Sequence, residues 1–315
     1  MVKDVEKCQR LPEHRGSLGF NEHKALKSFI GYLEGTGKAA QTIKNYRLDI
    51  LSFYGFLTRA EKITKASRAG KGIDIAALGA PDLERYHEHL KGLGHKTNTR
   101  RRKLLTAHRF LRYLSKRNQL DADIPTLMPT PHKIERIPFT VSQNELLQGI
   151  DSLPGETRLE QRNRTLLRLL AETGCLVSEV GRLRLSDIQG LELEISGKEQ
   201  AQRKIPITPK LKQELEDLGQ RSAGNSGFLF SGYNRHGPLS DSMSPRGVEL
   251  LVKFYSPKIA PSPAGQSPPR LTPRTIRHSV VLAWFQAGLP QSEIQRRLGL
   301  KTAYAFRTFA PLLQG

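Results

Sequence analysis

The first 120 or so residues carry apolar side chains at helical spacing, broken only by short polar stretches, and this pattern leaves little room for a sheet. Leu26, Phe29, Ile30 and Leu33 recur at three- and four-residue intervals and so share one helix face, which Gly35 and Gly37 then end. Residues 42–57 repeat the pattern through Ile43, Tyr46, Leu51, Phe53, Tyr54 and Leu57. A polar, glycine-containing connection follows at about Lys65–Gly72. Pro81 suits the first turn of a third helix that turns Leu83, Tyr86 and Leu90 inward. A fourth, from Asn98 to Leu114, presents Leu104, Leu105, His108, Leu111 and Leu114. Residues 1–20 read as a basic, poorly ordered lead-in, and 21–121 as an N-terminal four-helix domain.

The fourth helix opens with KTNTRRRK. Thr97 or Asn98 is the expected cap. Arg100, Arg101, Arg102 and Lys103 then sit where cations oppose the helix dipole. DNA phosphates would supply the missing counter-charge, since helix N-termini and cationic side chains both attract them. A solvated charged face is the other explanation of such a run.

The segment 122–141 is punctuated by prolines, lacks a period and reads as a linker. In the second domain, 142–315, Ser142 and Glu145 stand at capping-box distance. A helix is expected at Arg162–Glu172, two strands at Leu191–Ile195 and Lys204–Ile207 around the turn SGKEQAQR, and a helix from Pro209 to about Leu218. Pro257–Pro273 reads as a loop. The last helices are expected at Thr275–Ala287, Gln291–Leu298 and Thr302–Leu312.

Charge narrows the function. Lys and Arg total 50 against 30 Asp and Glu, a formal net charge of +20, with a sequence pI of about 10.1. A polyanion is the natural partner, and nucleic acid the first choice. No apolar run is long enough to cross a bilayer, and MVKDVEKCQRLPEH has no leader signature. A cytoplasmic, nucleoid-associated protein with no membrane partner is expected, or a nuclear one in a eukaryote. Cys8 and Cys175 have no metal-ligand spacing, so a zinc site is not expected; no other cofactor is expected either.

The order of parts, together with TLLRLLAETGCLVSEVGRLRLSDI, SGKEQAQRKIPITP, TPRTIRHS and RRLGL, resembles the tyrosine recombinase (phage integrase, Xer-type) family over about residues 22–313. The resemblance implies a mainly α fold: an N-terminal four-helix core-binding (SAM-like) domain, then a mostly helical recombinase-type domain with a small β-hairpin or sheet. In that family both domains grip duplex DNA. Two arginines, two histidines and a lysine surround the scissile phosphate, which a tyrosine attacks. Arginine neutralises charge growing on the phosphate oxygens, and histidine or lysine moves protons.

Carried over position by position, the resemblance puts the first arginine on Leu176, a histidine on Arg274, the histidine of LGH on Leu300 and the nucleophile on Phe309. Lys198 and Arg277 match the catalytic lysine and the second arginine. A phenyl ring has no oxygen with which to attack phosphorus, and a guanidinium that stays protonated is no general base. Losing one oxyanion-type donor alone costs about 3–4 kcal/mol. The expected protein is therefore an inactive, non-catalytic double-stranded DNA-binding protein, accessory, architectural or regulatory, that contacts phosphates through Arg100–Lys103, Lys198, Arg274 and Arg277. The alternatives are an active recombinase with a displaced nucleophile such as Tyr304 (Thr308 is a poorer choice) or an inhibitor that assembles with active relatives. Only APLLQG follows Phe309, so the resemblance implies a monomer or weak self-association on DNA.

Overall fold

The structure, a computed structural model, describes residues 20–64, 73–121, 123–126, 128–134, 137–197, 202–222, 227–234, 237–260, 270–300, 306–307 and 309–313. Cys8, the lead-in up to residue 19, the connection Lys65–Gly72, Lys198, Tyr304, Thr308 and most of the Pro257–Pro273 segment lie outside the described residues. Two compact units divide the chain, Met1–Ile134 and Glu135–Gly315.

In the first unit the apolar stripes become α1 (Phe20–Gly35), α2 (Ala40–Thr64), α3 (Ala80–Gly92) and α4 (Thr97–Ser115). Gly37 follows α1 with φ +69°, the left-handed conformation that a side chain disfavours. The core is strongly aromatic: Phe29, Phe53, Tyr54, Tyr86 and Phe110 are all essentially fully buried, with Leu33, Ile50, Leu83, Leu90, Leu104 and Leu111 around them. Leu105, expected inward, is 42% exposed, because Leu104, Ala107, Phe110, Leu111 and Leu114 already fill the inward face of α4.

The start of α4 differs from expectation. Lys96 is the cap residue and no side chain caps the helix. The Asn98 amide points elsewhere. It clasps the Ile134 peptide, donating to its carbonyl and accepting from its N–H, both at 3.0 Å. Further along, Arg101 donates to Thr130 Oγ1 at 2.6 Å and to the Pro131 carbonyl at 2.8 Å. His108 Nε2 lies 2.8 Å from the Pro125 carbonyl, and Ile124 is buried in the aromatic core. The aperiodic segment thus finds its hydrogen bonds along α4, as backbone without a ladder must.

The second unit runs α5 (Gln143–Asp151), α6 (Arg158–Thr173), α7 (Val177–Val180), a 3-10 turn (Leu185–Asp187), β1 (Ile188–Gln189), β2 (Glu192–Ser196), β3 (Gln202–Pro206), α8 (Pro209–Ser222), β4 (Ser231–Asn234), β5 (Gly237–Ser242), α9 (Pro245–Ile259), α10 (Pro273–Gln286), α11 (Gln291–Leu298) and α12 (Ala310–Leu313). β1, β2 and β3 form an antiparallel sheet in that order, with Leu193 opposite Ile205 and Ile195 opposite Arg203. The fold is mainly helical with a small sheet, as the sequence predicts.

Local details differ. Ser142 makes no side-chain cap. The capping box forms instead at α6, where Thr157 Oγ1 accepts from Glu160 N at 3.2 Å and Glu160 Oε2 accepts from Thr157 N at 3.0 Å. Pro257 lies inside α9, not in a loop. Pro257 removes one N–H from the last turn of α9, and burial of Val248, Leu251, Val252, Tyr255 and Ile259 along one face holds the helix through it.

Candidate functional site

The site is built around α10. Thr272 Oγ1 accepts from Thr275 N at 3.1 Å, and Pro273 occupies the first turn, so the helix starts firmly at the TPRTIRHS motif. Arg274 lies on its exposed face, while Arg277 and His278 are half-buried. Arg277 donates through Nη1 to the Gly174 carbonyl and through Nη2 to the Leu298 carbonyl, the latter at 3.0 Å. It thereby joins the end of α6 to the end of α11. Burial, which penalises the charged form, pulls its pKa below the ordinary arginine value.

A second arginine meets the same turn. Arg203, on β3, grips Glu179 with two bonds of 2.8 Å and donates through Nε to the Arg297 carbonyl at 2.7 Å. Glu179 Oε2 also accepts from Leu176 N at 2.7 Å. The adjacent carbonyls of Arg297 and Leu298 are therefore held by arginines from two different elements. Gly299 follows with φ +64°, and a Cβ there would lie 3.2 Å from Arg203 Cδ. The residue type fits both the backbone angle and the crowding.

The remaining positions singled out in the sequence group as follows. Leu176 caps α7, its backbone N–H held by Glu179, and the residue is 42% exposed and adds no charge. Phe309 is 3% exposed in an apolar cluster with Val280, Val281, Trp284, Ile294, Leu298 and Phe306, against which Leu300 packs. Its ring meets His278 edge-on at 5.4 Å. The His278 pKa is pushed down to about 4, first by burial and then by Arg274 and Arg277. The imidazole is therefore neutral near pH 7. Cys175 is buried, and burial pushes its thiol up to about 12, which makes it unreactive. Leu176, Leu300, Phe309, Arg274 and Arg277 thus all lie in the second unit.

Sequence reasoning singled out neither Glu179, Arg203 nor His278. The signal was present, because each belongs to a quoted motif: the glutamate of VSE, the arginine of AQRKIP and the last histidine of TIRH.

The basic run on α4 lies in the first unit, and its members are not equivalent. Arg102 pairs with Asp49. Lys103 is 9% exposed, with Nζ 3.7 Å from the same carboxylate. Burial lowers its pKa, against the pull of Asp49. Asp49 thus supplies an internal counter-charge for two cations whose position seemed to need an external one. Arg101 is held on Thr130 and Pro131.

A four-helix unit followed by a helical unit with a small antiparallel sheet, bearing arginines at the start of α10, has the architecture of a DNA strand-exchange enzyme. Residues 141–305 match the phage integrase family and residues 26–118 the phage integrase N-terminal SAM-like domain. The chain belongs to the phage integrase family of tyrosine recombinases. Among curated relatives, it is 24% identical over 286 residues to tyrosine recombinase XerC of Chlamydia muridarum, covering 86% of this chain and 88% of that protein. It is 27% identical over 290 residues to XerC of Neisseria meningitidis serogroup C (89% and 88% covered). It is 25% identical over 270 residues to XerD of Yersinia pestis, with 83% of each covered. Among solved structures, XerH recombinase bound to its difH substrate before cleavage superposes with a TM-score of 0.65 at 18% identity, covering 86% of this chain and 77% of that one. A lambda integrase dimer on a COC′ core site gives 0.63 at 16% identity, with 93% and 95% covered. These two likenesses establish the fold.

Proposed function

We propose that this chain is a non-catalytic double-stranded DNA-binding protein on the recombinase fold, an accessory, architectural or regulatory factor acting alone or beside an active recombinase. The observation that carries the reading is Phe309. At the position the family gives its nucleophile stands a ring without a hydroxyl, 3% exposed and packed among apolar side chains. Covalent attack on phosphorus needs an oxygen there. Leu176 in place of a phosphate-binding arginine points the same way, because it offers no donor to a developing oxyanion.

DNA binding is supported by the +20 charge and by the relatives solved on DNA. Arg274 is exposed and free to meet a phosphate. Arg277 has five N–H donors, and the two bonds to Gly174 and Leu298 leave others for the same purpose.

The test is a nicked suicide duplex incubated with the protein and run on a denaturing gel. No covalent adduct is expected. An adduct that disappears with Tyr304→Phe would establish a displaced nucleophile and overturn the reading. Duplex affinity should fall steeply with added salt as bound cations displace counterions.

A further inference from the structure

We propose that Glu172 is a proton-operated latch between the end of α6 and the start of α8. Its carboxyl group ties the two helices together, and uptake of one proton reverses the direction of a hydrogen bond that does so. The latch stands two residues before Gly174, whose carbonyl receives Arg277. None of its residues is among those assigned to phosphate contact.

Arg168 on α6, 3% exposed, is the hub of the charges here. It pairs with Asp151 at the end of α5, donates through Nε to Glu214 of α8 at 3.1 Å, and lies 3.9 Å from Glu172 one turn further along α6. Lys210, at the start of α8, is the second cation and meets Asp151 at 2.6 Å. Three carboxylates therefore face two cations. Asp151 is the most exposed of the three and touches both cations. Glu172 and Glu214, with side chains 7% and 15% exposed, are left to share Arg168. Glu214 Oε2 is buried and has no hydrogen-bond partner among the described residues. From α10, which also packs against α6, Arg277 reaches the Gly174 carbonyl, and its charge is not among those acting on Glu172.

Two carboxylates that share one guanidinium repel each other, and a proton on one of them removes the excess charge. Glu172 has a partner that can accommodate it. As an anion it accepts from Thr208 N at 3.2 Å and from the Thr208 hydroxyl at 3.0 and 3.1 Å. Thr208 directly precedes α8, and its Oγ1 accepts from Leu211 N at 3.1 Å, so the same hydroxyl caps that helix. With a proton bound, one Glu172 oxygen becomes a donor. The Thr208 hydroxyl has two acceptor lone pairs, so it can receive that bond and still cap α8, while its own proton turns away. The charge-assisted link, about twice as strong as a neutral one, is exchanged for a neutral link at a site where burying the charge is costly.

The electrostatics run the same way. Burial raises the Glu172 pKa above the ordinary 4.5, the bonds from Thr208 and the charge of Arg168 oppose the rise, and the charge of Glu214 adds to it. The native chain therefore takes up this proton more readily than the unfolded chain. The stability it contributes is fully present below pH 4.5 and is lost as pH rises through the native value. His278 acts over an overlapping range with the opposite sign, so the two are separated by comparing proteins that share His278.

The test follows the Thr208 amide resonance of the full chain by NMR as pH is raised from 4.5. In the native protein it should titrate with a midpoint above 4.5. Glu172→Gln, an isosteric stand-in for the protonated acid, should abolish that titration. Glu214→Gln removes the neighbouring negative charge and should move the midpoint down. Urea midpoints supply the second readout. The difference between Glu172→Gln and the native protein should grow in favour of the variant as pH rises, with the His278 contribution cancelling because both proteins carry it. The proposal is overturned if the Thr208 midpoint lies at or below 4.5, if Glu214→Gln leaves it in place, or if the difference in urea midpoints is flat with pH.

Discussion

Arg203 and Glu179 form a two-pronged ion pair, both contacts at 2.8 Å, with each side chain 6% exposed. One end of the pair fixes the start of α7 through Leu176 N, and the other fixes the last turn of α11 through the Arg297 carbonyl. Removing one partner strands a buried charge. Arg203→Met should therefore lower the unfolding free energy by about 3–5 kcal/mol, read as a shift in urea midpoint. Arg203→Lys should recover only part of that loss, because an ammonium cannot reproduce the two-pronged grip.

Arg274 and Arg277 should separate by assay. Arg274 is exposed and opens α10. Arg274→Ala is expected to leave the melting temperature alone and to reduce the slope of log affinity against log salt by about 0.9, one phosphate contact on duplex DNA. Arg277→Ala removes donors from the Gly174 and Leu298 carbonyls. It should cost stability as well, about 1–3 kcal/mol for an unmet buried carbonyl, measured by thermal and urea denaturation.

Phe309 serves packing. Phe309→Ala is expected to cost about 3–5 kcal/mol, the range for emptying a buried aromatic position. Phe309→Tyr on its own should give no covalent adduct with a nicked duplex, since Leu176 and Leu300 still offer no donor to the phosphate. An adduct from that single change would show that the missing hydroxyl was the sole deficit.

His278 predicts a pH dependence. Its folded pKa lies at about 4, below the ordinary 6.5. The unfolded chain therefore takes up the proton first as pH falls. The stability tied to the neutral imidazole is fully present above pH 6.5 and is lost progressively as pH falls toward 4. Urea midpoints measured across that window should decline in the native protein, and the decline should flatten in His278→Gln. Equal slopes for the two would place the pH dependence elsewhere.

Much of the fold was legible because its signals are local. Period-3.6 stripes located α1 to α4, and the short runs Leu191–Ile195 and Lys204–Ile207 around a polar turn located β2 and β3. What was not legible depends on contacts distant in sequence. Pro257 looked like a helix stop, yet α9 passes through it because one face of that helix is buried. KTNTRRRK looked like a capped helix start, yet Asn98 serves a peptide 36 residues away. Asp49, 53 residues from Arg102, explains part of the basic run. The site shows the same division. Motif order singled out Leu176, Arg274, Arg277, Leu300 and Phe309, whereas the cross-links made by Arg203 and Glu179 become visible only when three elements meet.

The clasp between Asn98 and the Ile134 peptide bears on how this molecule can be dissected. A fragment ending soon after α4 would lose Ile124 from its aromatic centre and leave Asn98, Arg101 and His108 reaching for backbone that had been cut away. A fragment carried past Ile134 keeps its own hem, so anyone wishing to study the halves apart should place the scissors there.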